Sequence, residues 1–313
     1  MGFPRVALVT GASRGVGAAV ARALAAQGNT RIVINYHNNA KAANQLIAEL
    51  SELRSQSSDG TVDSQGPWFT AIQADIASRV EMTRLVQQTV DRMGRLDIVV
   101  SNVGWTRMTD FMNLEDADNE ADWDRCFDVN VKSHFRLFRA CQPYLESSEG
   151  VFIATASVAG VKPSGSSLAY AVTKAALIHL VKSLAVIAGP KIRVNSVAPG
   201  VLMTVSLSFG FFKLHADEDK DWGQGFPAEK IQAVEEKNVL KRLATPEDVA
   251  EHQQKWSLPV LPRSLSWAVP FEGFGLTASL KLIEADQQAI SISNDTGYGL
   301  HGPDFTHNIC DTT

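Results

Sequence analysis

The sequence predicts an α/β fold: a doubly wound parallel sheet of six strands with helices on both faces, followed by an atypical C-terminal tail. Three observations predict it. Short apolar runs alternate six times with segments of helical period, the pattern of a parallel sheet joined by crossover helices. The first run passes directly into a glycine turn that opens a helix, Gly11-Ala-Ser-Arg-Gly-Val-Gly17. Residue types suited to chemistry recur just after the ends of the apolar runs, the edge at which such sheets bind ligands.

In chain order, Arg5 to Thr10 is the first strand, and an Ala-rich helix runs from Val16 to Gln27 with Gly28 as its stop. The glycines allow a tight turn and close approach of a ligand. The helix N-terminus offers free N–H groups to a pyrophosphate, so Gly11, Ser13, Arg14, Gly15, Val16 and Gly17 are candidate dinucleotide contacts. Arg31 to Asn35 is the second strand. Its end reads Asn35-Tyr-His-Asn38, with no acid to accept from the 2′-hydroxyl of NAD, and Arg14 lies in the nearby turn. Both features favour NADP over NAD. Ala40 to Arg54 is a helix, Ser55 to Pro67 a polar loop and Trp68 to Gln73 the third strand. Asp75 follows as a candidate acceptor for an adenine amino group, with a helix N-cap as the alternative role for it or for Ser78. After the helix Val80 to Met93, the fourth strand Leu96 to Ser101 leads into Asn102-Val-Gly104, a further cofactor approach. Trp105 to Glu120 reads as an irregular acidic loop, and a long helix from Asp122 to Leu145 carries Asn130 in its interior, where Asn is a poor helix former. Val151 to Ala156 is the fifth strand, Ser167 to Ile187 a helix, and Lys191 to Val197 the sixth strand, closed by Ala198-Pro199-Gly200.

Composition bounds the function. The chain has 313 residues, 45% of them hydrophobic and 20% charged, with a net charge of −5, which gives no electrostatic case for nucleic acid. No run of about 18 apolar residues is found, so no membrane association is expected. The N-terminus lacks a signal-peptide layout, and Cys126, Cys141 and Cys310 form neither a disulfide framework nor a metal pattern. A reducing, cytoplasmic location is expected.

The chemistry centres on Ser157, Tyr170 and Lys174. Tyr170 and Lys174 stand four residues apart, on one face of a helix, and Ser157 ends the fifth strand. A hydroxyl, a phenol and an ammonium in one pocket suit acid–base work on a carbonyl or an alcohol, with the cation lowering the phenol pKa. Such a pair alone is common on helices. Here Gly11 to Gly17, Asp75, Asn102 to Gly104, Ser157 and Pro199-Gly200 all fall on the same sheet edge.

Together these residues resemble the short-chain dehydrogenase/reductase family over about residues 4–250. Thr10 to Gly17 is similar to its glycine turn, Ser101-Asn-Val-Gly104 to its Asn-Asn-Ala-Gly, and Asn195 to Gly200 with Thr204 to the segment closing over the nicotinamide. Asn130, Ser157, Tyr170 and Lys174 stand where its catalytic four stand. The resemblance implies a Rossmann-type domain over 1–250 and hydride transfer between NADP and a small organic carbonyl or alcohol. It also implies Tyr170 as acid/base, Ser157 orienting the substrate, Lys174 on the nicotinamide ribose, Asn130 holding a water, and a homo-oligomer. The competing reading is a catalytically inactive dinucleotide-binding protein.

Two regions depart from the pattern. Without Val205 to Lys220, Met203-Thr204 would run into Asp221 as in the family; the stretch is either a translated intron or an insertion. Beyond Ala250 the family's Thr-Gly, seventh strand and Asp-Gly-Gly are not found, so the sheet is expected to stop at six strands, and oligomerisation is called into question. The tail, 251–313, is not expected to be an independent domain. Asn294-Asp-Thr-Gly-Tyr-Gly-Leu300 resembles a short stretch of aldehyde dehydrogenases, but without their nucleophilic cysteine segment no such activity is expected.

Overall fold

The computed structural model of the chain describes residues 3–57, 66–200, 202, 232, 236 and 242–258, and the backbone alone of 280–283 and 290–292. Thr204, the stretch 205–220 and the aldehyde dehydrogenase-like segment at 294–300 lie outside the described residues.

Six strands, β1 (Arg5–Val9), β2 (Thr30–Tyr36), β3 (Phe69–Gln73), β4 (Ile98–Ser101), β5 (Val151–Thr155) and β6 (Arg193–Pro199), pair in parallel in the order β3-β2-β1-β4-β5-β6. They alternate with α1 (Gly15–Ala25), α2 (Ala40–Ser57), α3 (Arg79–Met93), α4 (Leu114–Ala117), α5 (Glu120–Phe127), α6 (Ser133–Ser148) and α7 (Leu168–Ala188). Strand order reverses between β1 and β4, which opens a crevice at their C-terminal ends.

The strands are continuously apolar because both faces are covered. Alternate residues divide between two cores: Val6 and Leu8 pack with Val33, Val99 and Phe152 against α3, α6 and α7, while Ala7 and Val9 pack with Ile32, Ile34 and Val100 against α1 and α2. The small side chains of α1 let that helix lie close to the sheet. Helix α7 is long and apolar enough to cross a membrane by length and hydropathy alone, contrary to the expectation that no such helix exists. Its Leu177, Val181, Leu184 and Ala185 are buried in the first core, which accounts for the apolarity.

Further features differ from expectation, beginning with the short helix α4 inside the stretch expected to be an irregular loop, which Asn113 caps by accepting from Glu115 N. The helix expected from Asp122 to Leu145 is interrupted: α5 and α6 are joined through a π-helical stretch, Asp128–Lys132. Asn130 sits in that stretch, fully buried, and its amide is committed to partners outside the helix. The sheet also does not stop at six strands. The tail contributes β7 (Leu280–Ile283), parallel to β6, and β8 (Ile290–Ile292), antiparallel to β7. The seventh strand expected to be missing is thus supplied by a segment without the family's flanking residues.

Helix α8 (Pro246–Ser257) runs through residue 250 and packs on α1, β5 and β6. Thr245 and Asp248 form a reciprocal capping box at its start. At its other end Arg193 donates to the carbonyl of Trp256 (2.8 Å) and Arg5 to that of Ser257 (2.6 Å), filling acceptors a helix end leaves open.

Phe152 is fully buried at the centre of β5, with Phe138 edge-on to it at 5.4 Å between ring centroids. Phe152→Ala is expected to cost about 3–5 kcal/mol through lost burial and the cavity left behind, measured as a lower urea midpoint at unchanged m-value.

Candidate active site

The crevice between β1 and β4 is a cleft of about 1170 Å³. Its floor is the turn after β1. Gly11 and Gly15 have φ of +59° and +56°, a conformation that glycine adopts without strain. Gly17 serves differently: a Cβ there would come within 2.5 Å of the Gly11 carbonyl oxygen and 2.8 Å of the Ala12 Cα, so the position must be bare for α1 to pack onto its own turn. Gly17 does not line the cleft, whereas Gly11, Ser13, Arg14, Gly15 and Val16 do. The first turn of α1 has no acidic residue and no side-chain cap. An uncapped helix start over bare glycines fits the pyrophosphate of a dinucleotide.

Asn35, expected to meet the ribose, is buried and shapes the turn. Its Oδ1 accepts from Gly11 N (3.2 Å), and its Nδ2 donates to the Ala74 carbonyl (3.0 Å). The cleft wall continues through Tyr36, His37 and Asn38, none of them an acid. Asp75 lines the cleft and accepts from Ala77 N through Oδ1 (2.8 Å), while Ser78 is the N-cap of α3. Asn102 lines the cleft as well. Its N–H goes to Thr10 Oγ1 (2.9 Å) and its Nδ2 to the carbonyls of Thr10 (3.3 Å) and Gly11 (3.4 Å), tying β4 to the glycine turn.

Ser157, Tyr170 and Lys174 meet on the far side, with Gly104, Pro199 and Gly200 also on the wall. Helix α7 starts where it does because Ser167 caps it, accepting from Tyr170 N (3.1 Å), which places Tyr170 in the first turn. The Ser157 hydroxyl hydrogen-bonds the Tyr170 phenol. Gly160 sets the distance between them: a Cβ there would lie 2.5 Å from the Lys174 carbonyl carbon, so only glycine lets the turn after Ser157 rest on the α7 backbone. Lys174 Nζ donates to the Thr155 carbonyl (2.8 Å).

Asn130 lies behind the wall. Its Oδ1 accepts from Trp105 N (2.7 Å), and its Nδ2 donates to the Trp105 carbonyl (2.8 Å) and to Thr173 Oγ1 (3.1 Å). It therefore fixes Trp105, which lines the cleft, against α7. Thr155, Gly160 and Thr173 were not singled out in the sequence, and Thr10 only as the first residue of the glycine-turn motif. Thr155 had a signal, as the one polar residue inside an otherwise apolar strand.

The electrostatics depart from the expected lowering of the phenol pKa. Burial pushes Tyr170 up to about 12, against the opposing hydrogen bond from Ser157. Burial likewise pushes Lys174 down to about 7. Desolvation therefore sets the direction of both shifts in the free protein. His134, hydrogen-bonded through Nδ1 to Ser101 Oγ (2.7 Å), is pushed down to about 3, chiefly by burial.

Fold and cleft together define a dinucleotide-binding oxidoreductase. The chain belongs to the short-chain dehydrogenase family, whose profile, described as short chain dehydrogenase, matches residues 5–208. It is similar to a versicolorin reductase of Emericella nidulans, 33% identical over 79% of this chain and 86% of that protein. A 3-oxoacyl-[acyl-carrier-protein] reductase of a Synechocystis strain is 34% identical over 64% of this chain and 75% of that one. Among solved structures, a 7α-hydroxysteroid dehydrogenase complexed with NADH and 7-oxo glycochenodeoxycholic acid superposes with a TM-score of 0.69, at 26% identity over 91% of this chain and 95% of that one. The protein is accordingly a nicotinamide-linked oxidoreductase acting between CH–OH and C=O.

The Lys174 shift has a consequence for stability. Between pH 7 and 10.5 the unfolded chain holds a proton on this lysine that the folded chain lacks, so folding stability rises with pH through that window; below pH 7 the term is constant. Lys174→Met removes the term. The difference in urea midpoint between the two proteins is expected to change steadily from pH 7 to about 9, and a pH-independent difference would contradict a lysine held near neutrality.

Proposed function

We propose that the protein is an NADP-dependent reductase of an apolar ketone, with Tyr170 as the general acid. The observation that carries the reading is the meeting of Ser157, Tyr170 and Lys174 at one end of a cleft whose other end is an uncapped, glycine-floored helix start. A bound nicotinamide dinucleotide would supply the hydride to the carbonyl carbon. Gly11, Ser13, Gly15 and Val16 would hold its pyrophosphate, Asp75 its adenine, and Asn102, Lys174, Pro199 and Gly200 the region toward the nicotinamide.

The side chains then divide the work on the carbonyl oxygen. As negative charge grows there, Tyr170 delivers its phenolic proton to it, and a phenol kept protonated by burial is in the correct state to do so. Ser157 donates its one hydroxyl proton in a hydrogen bond to the same oxygen and so orients the ketone. Lys174, anchored on the Thr155 carbonyl, places its ammonium where the phenolate charge of Tyr170 forms. In the reverse direction Tyr170, as phenolate, would accept the proton of the alcohol.

The choice of NADP rests on the end of β2, where Tyr36, His37 and Asn38 line the cleft without an acid, and on Arg14 beside them. The steroid dehydrogenase neighbour is described with NADH, so the preference is argued from this chain's own lining. The apolar ketone is argued from Val103, Trp105, Val158 and Leu202 on the cleft wall and from the reductase names of the relatives.

Tyr170→Phe is expected to lower turnover by at least about a thousand-fold, the loss of positioned proton transfer and of an oxyanion donor together, while NADPH binding by fluorescence titration stays within a few-fold. Substantial turnover in that variant would remove Tyr170 from the mechanism. NADPH binding by the wild type without oxidation across a ketone panel would favour the binding-only reading. Tyr36→Asp, which places an acid at the end of β2, is expected to shift the NADPH-to-NADH ratio of kcat/KM toward NADH by about ten-fold or more.

A further inference from the structure

We infer that Gln253, on α8, is a positioning residue for the active site, acting through Thr155. The inference rests on the reading of Tyr170 and Lys174 as the acid–base pair.

Gln253 is fully buried, and its Nε2 donates to Thr155 Oγ1 at 2.9 Å. The Thr155 hydroxyl donates onward to Asn102 Oδ1 (3.1 Å), and Asn102 holds the glycine turn through the carbonyls of Thr10 and Gly11. The carbonyl of the same Thr155 is the acceptor for Lys174 Nζ (2.8 Å). One residue of β5 thus serves both ends of the cleft, and the Gln253 amide is the group that fixes its hydroxyl from behind the sheet.

Gln253 is itself placed firmly. Beside it, Gln254 Nε2 donates to the Ala23 carbonyl of α1 (2.7 Å). The helix is capped at its start by Thr245 and Asp248 and held at its end by Arg193 and Arg5. A side chain carried on a helix fixed at both ends has little freedom to drift.

The amide is a poor choice for stability alone. Gln253 Oε1 is buried and has no hydrogen-bond partner among the described residues. A buried acceptor left unpaired opposes folding, and an apolar side chain of the same length would bury there without that cost. What the amide supplies that leucine cannot is the donor to Thr155.

The test is Gln253→Leu, Thr155→Val and the double variant in the full-length protein, assayed with NADPH and a ketone it reduces. Gln253→Leu is expected to lower kcat about ten-fold by misplacing reacting groups, with KM and the NADPH dissociation constant within about two-fold of wild type. Its melting temperature is expected to equal or exceed that of wild type. The double variant is expected to be no slower than Thr155→Val alone, because Gln253 acts only through Thr155. Unchanged kcat in Gln253→Leu, a loss of kcat matched by a loss of melting temperature, or additive losses in the double variant would each overturn the proposal. Should Gln253→Leu fail to fold, Gln253→Met, of similar reach and without a donor, replaces it. Tyr170→Phe in the same assay separates the two readings: an active Tyr170→Phe sinks the acid–base assignment, whereas an inactive one beside a fully active Gln253→Leu sinks only the positioning role.

Discussion

Lys174 carries its amino group into the middle of the molecule, and much of the surrounding structure follows from giving that group a place. A buried ammonium is unfavourable unless it is hydrogen-bonded, and its anchor here is a main-chain carbonyl, that of Thr155. A carbonyl compensates a charge less fully than a carboxylate would, so burial still pushes the lysine down to about 7. That leaves the group easily biased by any charge that forms nearby. The anchor requires β5 and α7 to stand at a fixed separation, which Gly160 permits by resting on the Lys174 backbone without a side chain between. Ser157 and Tyr170 flank this contact, so the distance that serves the lysine also brings the hydroxyl to the phenol.

Much of this was legible in the sequence because it is written in local patterns. The six strands show as apolar runs, since each is buried on both faces. The glycine turn shows because a strand, Gly11 to Gly17 and an Ala-rich helix are consecutive. Ser157, Tyr170 and Lys174 show because a strand end and a four-residue helical spacing place them on one edge. What was not legible depends on partners distant in the chain. Asn130 was readable as an odd residue within a helix, but its commitment to Trp105 and Thr173, and the π-helical turn it occupies, arise from packing between α5, α6 and α7. The upward shift of Tyr170 in the free protein shows a related limit: spacing reports the neighbouring lysine, whereas burial depends on the whole fold. Asn35 lines the cleft at the expected strand end, but the commitment of its amide to Gly11 N and the Ala74 carbonyl depends on partners that spacing along β2 does not show.

The C-terminal region shows the same limit from the other side. The chain beyond Ala250 lacks the residues that mark the family's last strand, yet Leu280–Ile283 pairs with Ser196 to Pro199 in parallel register. Strand pairing is carried by the backbone, so a segment of different side chains can occupy the position. Without it, β6 would present unpaired N–H and C=O groups along an open edge. The pairing matters to the site because β6 ends in Pro199 and Gly200 on the cleft wall. A strand secured on both sides holds that end more firmly than an edge strand would.

Arg5 and Arg193 tie α8 to the base of the sheet. They come from the first residues of β1 and β6, at the opposite end of the sheet from the cleft, and both donate to carbonyls at the end of α8. Burial lowers the pKa of both guanidiniums, and for Arg193 the charge of Arg5 adds to the lowering. Two like charges gathered on one helix terminus are offset by the Asp97 carboxylate, which favours the charged form of Arg5, and by the partial negative charge at the carbonyl end of the helix. The terminus is therefore more than a place where the helix stops: it offsets the cationic pair, and the pair in turn holds α8 against the sheet. Since α8 also contacts β5 and β6 and places Gln253 at Thr155, an electrostatic contact at the base of the sheet bears on the geometry of an ammonium at its top.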